Sequence, residues 1–189
     1  GVFRFGTERK NDDYIYLASD LAELPGKAYQ KKRNHVSRFV KEHPAYTFEA
    51  VTPENIGLVR EFNETWGLLY DEDNASLAGE HIAINRVLDH FFELGLVGGL
   101  LRDEGKTLAF CYGSKISDSV LCTHVEKAYH DVNGAYAVIN REFARMFGTQ
   151  FTYINREDDL GEEGLRKAKL SYRPAVLEKK YFAVLKTEA

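Results

Sequence analysis

The chain has 189 residues and a formal net charge of −4, a length that suits one domain with a substantial core and is too short for two ordinary ones. A hydrophobic share of 44% with 29% charged residues excludes a disordered chain, and the mild acidity excludes a protein that coats nucleic acid indiscriminately. Asp89 and His90, or Gly98 and Gly99, break the apolar runs before they reach the ~20 residues of a membrane-spanning helix, and Gly1–Lys10 lacks a signal pattern, so a soluble, cytoplasmic domain is expected.

Tyr14–Leu17 alternates as a short strand, and Gly26–His43 has helical spacing with Tyr29, Val36 and Phe39 inward, closed by Pro44. Thr47–Val51 is strand-like. Thr52 as N-cap and Pro53 at the first position then open a helix carrying Ile56, Val59, Phe62 and Trp66. The acidic stretch 70–74 reads as a loop, and Ser76–Leu94 as a helix with Ile84, Val87, Leu88, Phe91 and Leu94 inward, stopped by Gly95. Spacing then changes. Leu96–Arg102 and Thr107–Ser114 flank a hairpin loop whose Gly105 supplies a positive φ, and Val120–Glu126 follows a second turn, giving three antiparallel strands. A helix over Gly134–Phe147 places Tyr136, Ile139, Phe143 and Met146 inward; strand Phe151–Arg156, helix Glu162–Ser171 and a final strand Leu177–Leu185 complete the chain. This order describes an α/β domain with a mixed, mainly antiparallel sheet, helices on its faces and Val120–Glu126 at its centre. That layout is similar to the GNAT acyltransferase fold, in which a central strand leads into a helix N-terminus that holds the donor's phosphates.

Several residues are candidates for chemistry. His124 and Glu126 are two apart in a strand, so with Cys122 they project from one sheet face, and Leu121, Thr123 and Val125 from the other. Either one is suited to be the general base that deprotonates an acceptor amine or hydroxyl; the alternative is a hydrogen-bonded pair supporting the following loop. Neither forms a recognisable nucleophile triad. Arg156, with Asn155 at the end of a strand, can grip a phosphate bidentately, or form an internal ion pair with Glu157, Glu142 or another carboxylate. Lys167 and Lys169 do not share a helical face, so one at most lines a site, and Tyr172 near Pro174 is a packed turn residue or a proton donor. Lys27, Lys31 and Asn34 share a helix face suited to the phosphates of a tRNA acceptor stem, to an anionic lipid head group, or to solvent alone. His81 and His90 have no ligand-like spacing, and Cys111 and Cys122, inside apolar runs, read as core thiols of a reducing compartment, so no metal site is expected.

Four stretches carry a family resemblance: Lys27 through His35, His124 through Ala128, Gly134 through Phe143, and Tyr153 through Pro174 with its Asn155-Arg156-Glu157-Asp158-Asp159-Leu160-Gly161 core. Together they resemble the C-terminal domain family of bacterial phosphatidylglycerol lysyltransferases, an aminoacyl-tRNA-dependent branch of the GNAT-like superfamily related to the Fem-type transferases. The resemblance implies an aminoacyl transferase with tRNA as donor partner and a lipid head group or other small anionic acceptor. It also implies a preceding GNAT-like half in a longer chain, buried against this one, and it adds Asn140 to the donor-binding candidates. Asp131-Val132-Asn133-Gly134-Ala135-Tyr136 departs from the Gly-rich pyrophosphate loop of acetyl-CoA-dependent members, because a single glycine makes a weak cradle and Asp131 repels phosphate. An acetyl-CoA-dependent N-acetyltransferase and a non-catalytic module for an anionic ligand are the competing readings.

Overall fold

The computed structural model describes residues 2–70 and 75–186; of the loop expected at 70–74, Tyr70 is helical and 71–74 lie outside the described residues. Within them the chain runs β1 (Phe3–Thr7), β2 (Asp13–Leu17), α1 (Ala18–Glu23), α2 (Gln30–Glu42), β3 (Thr47–Ala50), α3 (Ile56–Tyr70), α4 (Ala75–Asp89), β4 (Val97–Asp103), β5 (Lys106–Lys115), β6 (Val120–Ala128), α5 (Ala135–Phe143), β7 (Tyr153–Asn155), α6 (Glu163–Leu170), β8 (Val176–Glu178) and β9 (Tyr181–Leu185). The main sheet has the order β3-β4-β5-β6-β7-β2-β8, which makes β6 the central strand of seven, as expected. Its pairings are antiparallel apart from β6 with β7, the parallel step that α5 bridges.

Side-chain alternation along β4 and β5 divides the core into two layers. Leu101, Ala109 and Cys111 join α1, α2 and α5 on one face, where Leu21, Val36, Phe39, Val138 and Phe143 are buried. Leu100, Phe110 and Tyr112 meet Val59, Phe62 and Trp66 of α3 and Ile84 and Leu88 of α4 on the other. Helices thus cover both faces. No helix among the described residues is long and apolar enough to cross a membrane.

Several boundaries differ from the sequence reading, each for a local reason. The helix expected from Gly26 starts as a 3₁₀ turn at Lys27–Tyr29 before α2. Thr52 and Pro53 form a turn, with Asn55 Oδ1 accepting from the Thr52 amide, so α3 begins at Ile56. After α4 the chain closes in a Schellman-type end: Leu96 N–H donates to the Phe91 carbonyl and Gly95 N–H to that of Phe92, with Gly95 at φ +64°. Leu94, expected inward, is turned out and is 57% exposed. In the helix after Gly134, Ile139 and Phe143 are buried as expected, but Tyr136 and Met146 are exposed. The last turn, Ala144–Gly148, widens to π geometry and moves Met146 off the apolar stripe. The expected last strand is two strands: β8 joins the main sheet beside β2, and β9 leaves it to pair with β1 in a separate ribbon.

A register shift between Tyr112 and Gly113 puts an extra residue, His124, into β6. There the backbones come so close that a Cβ on Gly113 would lie 1.9 Å from the Cys122 carbonyl oxygen. Gly113→Ala is therefore expected to destabilise the fold by at least about 2 kcal/mol, because the obstacle is backbone and cannot rotate away. Gly57→Ala, where the added methyl meets open space in α3, is the control and is expected to leave the melting temperature unchanged or raise it.

Candidate functional site

The cleft arises where two parallel strands part. β6 and β7 are paired from Val120/Tyr153 to Cys122/Asn155; beyond that β6 continues beside β5 while the other chain turns away towards α6. The gap opens into a cleft of about 900 Å³ whose lining includes Lys32, His35, Thr123 to Glu126, Gly134, Tyr136, Arg156 to Asp158, Lys169 and Tyr172.

The departing loop is fastened from beneath. Asp159, fully buried, accepts from Arg166 at 2.7 and 3.0 Å, from the Tyr14 hydroxyl at 2.6 Å and from the Gly161 amide at 2.9 Å. Arg166 first, then the Tyr14 hydroxyl and the Gly161 amide, outweigh burial and hold its carboxyl well below the usual range. Lys169 donates to the Arg156 carbonyl at 2.5 Å and to that of Asp158, so this candidate donor-binder is engaged by backbone. Burial, followed by the nearby Arg156, pushes its pKa down to about 8. Asn155, also buried, serves the same loop: its Nδ2 donates to Asp13 and its Oδ1 accepts from the Glu157 amide. Glu157 is held at φ +55°, a region side chains rarely adopt, which turns its carboxylate towards β6.

Arg156 lies at the floor of the cleft. Its Nη2 donates to Glu126 Oε1 at 2.9 Å, and its guanidinium lies 5.0 Å from the centroid of the Tyr172 ring and 5.7 Å from that of Tyr16. Burial opposes its charge, but Glu126, Tyr16 and Tyr172 together raise its pKa. Its Nη1 is buried without a hydrogen-bond partner among the described residues, an unsatisfied donor that a ligand oxygen would complete. Glu126 also accepts from Asn140 Nδ2 at 3.2 Å, which puts Asn140 behind it in α5 rather than in the cleft lining. The Lys32 ammonium lies over the same Tyr172 ring, 3.8 Å from its centroid, and burial followed by Arg156 lowers its pKa to about 8. Burial pushes the pKa of the Tyr172 hydroxyl above the usual tyrosine value.

His124 stands at the cleft mouth with Nε2 2.7 Å from Ser114 Oγ and Nδ1 2.8 Å from Glu157 Oε1. This network assigns Nδ1–H as the donor to Glu157 and leaves Nε2 as the acceptor of the Ser114 hydroxyl proton. The expected single polar face is corrected here. The extra residue reverses the alternation, so Cys122 and His124 lie with Ser114 on one side, while Glu126 turns to Asn140 of α5 on the other. Sequence reading also missed the hydroxyl–imidazole–carboxylate line, since Ser114 comes from β5 and Glu157 from the loop after β7. Lys27, Lys31 and Asn34 are exposed and outside the cleft lining, with Asn34 accepting from Gln30; the residues of this segment that line the cleft are Lys32 and His35.

A seven-stranded mixed sheet with its central strand splayed from a parallel neighbour defines a GNAT-like α/β domain. The family model described as phosphatidylglycerol lysyltransferase, C-terminal, matches residues 2–184, and the chain belongs to that family. It is similar to a solved conserved protein of unknown function from Bacteroides thetaiotaomicron, at 45% identity and a TM-score of 0.92, covering 97% of this chain and 62% of that one. The C-terminal domain of a putative lysylphosphatidylglycerol synthetase from Agrobacterium fabrum shares the fold at 15% identity and a TM-score of 0.72, covering 98% and 62%. An uncharacterised protein of Mycoplasmoides gallisepticum is 24% identical over 173 residues, 89% of this chain and 54% of that protein. The chain therefore spans between half and two thirds of the length of these relatives.

Proposed function

We propose that the cleft is the transfer site of an aminoacyltransferase that moves an aminoacyl group from charged tRNA to an amine or hydroxyl of a lipid head group or another small acceptor. The observation that carries this reading is Arg156, its side chain 12% exposed and its buried Nη1 unpartnered among the described residues, beside Lys32: a fixed positive floor suited to a phosphate of donor or acceptor. The acceptor atom bonds to the ester carbonyl carbon as the carbon–oxygen bond to the ribose breaks. The Ser114 hydroxyl passes its proton to His124 Nε2 as it takes the acceptor's, and the ribose oxygen gains one. Glu157 and Ser114 fix the imidazole's tautomer and orientation. This reading places the protein in the cytoplasm, where charged tRNA is made. Incubating the longest available form of the protein with a panel of charged tRNAs and acceptor extracts tests it: protein-dependent loss of at least one aminoacyl-tRNA is expected, and no loss with any combination overturns it.

The acetyl-CoA alternative is disfavoured at Gly134. This residue, at φ +85°, is glycine because a Cβ would come within 2.5 Å of the His35 carbonyl, so the space beside it is filled by α2 and not kept for a pyrophosphate. Calorimetric titration is expected to give weak or no CoA binding; micromolar affinity would promote that reading. A non-catalytic module would bind anions at the same floor without turnover.

Anion affinity should fall as pH is raised from 7 to 9, because Lys32 loses its charge above a pKa of about 8. Pyrophosphate titration across that range checks the sign, and Lys32→Met should reduce the pH dependence without abolishing it, since Lys169 in the same cleft loses its charge over the same range.

A preceding GNAT-like half completes the proposal. It is supported by the share of its relatives that the chain spans and by the β1–β9 ribbon, which exposes Phe3, Phe5, Tyr181 and Leu185. A longer form containing that half should melt higher and bind less hydrophobic dye than residues 1–189 alone; equal melting and equal dye binding would argue against the interface.

A further inference from the structure

Cys122, His124 and Glu157 form a cluster distinct from the anion-holding floor. Cys122 Sγ lies 3.6 Å from His124 Nδ1 and 3.6 Å from Glu157 Oε1, and those two atoms are 2.8 Å apart. Four-coordinate zinc with bonds of about 2.3 Å to sulfur and about 2.0–2.1 Å to nitrogen and oxygen sets sulfur edges of about 3.5 Å and a nitrogen–oxygen edge of about 3.3 Å. The two sulfur edges already match. The third needs to open by roughly half an ångström, the change expected when a metal replaces the Nδ1–H proton between imidazole and carboxylate.

We propose that Cys122 Sγ, His124 Nδ1 and Glu157 Oε1 are the three protein ligands of a zinc-type divalent metal ion whose fourth position opens into the cleft. The surroundings match the support that such ligands require. Ser114 Oγ holds the free ring nitrogen Nε2 at 2.7 Å, which fixes the ring's orientation and leaves Nδ1 for the metal. Glu157 is fixed at both ends of its peptide, its amide donating to Asn155 Oδ1 and its carbonyl accepting from the Tyr14 amide. Cys122 is buried, whereas the His124 and Glu157 side chains keep a third or more of their surface exposed and line the cleft, so the open position faces it. One sulfur, one nitrogen and one oxygen ligand suit zinc and exclude magnesium and calcium, which take oxygen alone. An acceptor hydroxyl or water at the open position would lose its proton more readily, and His124, as a ligand, would then not be the base.

This inference goes beyond the transfer reading and, where it holds, replaces His124 as the base of that reading; its test needs no aminoacyl donor, so failure of the metal site leaves the transfer reading standing and failure of transfer leaves the metal site standing. The protein is stripped with a chelator and titrated with cobalt(II), then with zinc. Binding of one equivalent is expected, with a near-ultraviolet thiolate-to-cobalt band and the intense visible bands of four-coordinate cobalt, all abolished by one equivalent of zinc. Cys122→Ser should remove the thiolate band, and Cys111→Ala should keep it. Glu157→Gln, whose circular dichroism checks folding independently of the cysteine, should weaken cobalt binding at least tenfold while retaining the band at saturation. Three results would each overturn the site: no thiolate band in the parent protein at millimolar cobalt, a band that survives Cys122→Ser, or affinity unchanged by both Glu157→Gln and His124→Gln.

Discussion

Arg156→Ala is expected to lower stability by about 3 kcal/mol, because it leaves Glu126, only 11% exposed, without its counter-charge. For a domain of this size that is a fall in melting temperature on the order of 10 °C. Adding Glu126→Gln to Arg156→Ala should recover much of the loss, since a neutral amide needs no partner charge. Arg156→Lys should recover part of the stability but not anion binding, because an ammonium keeps the charge and loses the paired N–H fork. Thermal melts and pyrophosphate titrations on the four proteins read both effects, with a bidentate contact worth about 1–3 kcal/mol, or about 5- to 150-fold in affinity. If folded Arg156→Lys bound pyrophosphate as tightly as the parent, Arg156 would be a structural ion-pair partner alone.

His124→Ala is expected to lower transfer by about 10² to 10⁴-fold, the usual worth of a positioned acid or base. Its side chain is one-third exposed but bonded at both ring nitrogens, so stability should fall by on the order of 1 kcal/mol. Ser114→Ala separates two uses of the hydroxyl–imidazole–carboxylate line. A hydroxyl that only orients His124 should cost less than about tenfold, whereas one that carries the acyl group would cost more than about 10³-fold. Single-turnover measurement of aminoacyl-tRNA consumption by the parent and both variants gives the comparison.

Part of the site could be read from local spacing. Tyr29, Val36 and Phe39 set the phase of α2, and Lys32, three residues after Tyr29 and four before Val36, lies on the same inner stripe. The spacing that groups Lys27, Lys31 and Asn34 as a phosphate-binding face selects the outer side of the helix, whereas the apolar phase points to Lys32. The choice between Lys167 and Lys169 was equally local: they lie two apart on a helix, and Lys169 alone of the two lines the cleft.

By itself the sequence determined the α/β class, the β4–β5–β6 meander, the central position of β6 and the glycine start of α5, because periodicity and turn chemistry act over a few residues. It also carried the family resemblance, in motifs that remain contiguous. Only the tertiary structure decided how the cleft is furnished. Glu126 and Arg156 are paired across 30 residues, His124 and Glu157 across 33, and Tyr14 and Asp159 across 145. No local pattern encodes such pairings, since burial selects them after the sheet has formed. The bulge at His124 is the clearest case. One extra residue, fixed by how β5 and Gly113 meet the Cys122 carbonyl, inverts every side chain beyond it, and alternation within β6 cannot reveal a shift set by its neighbour.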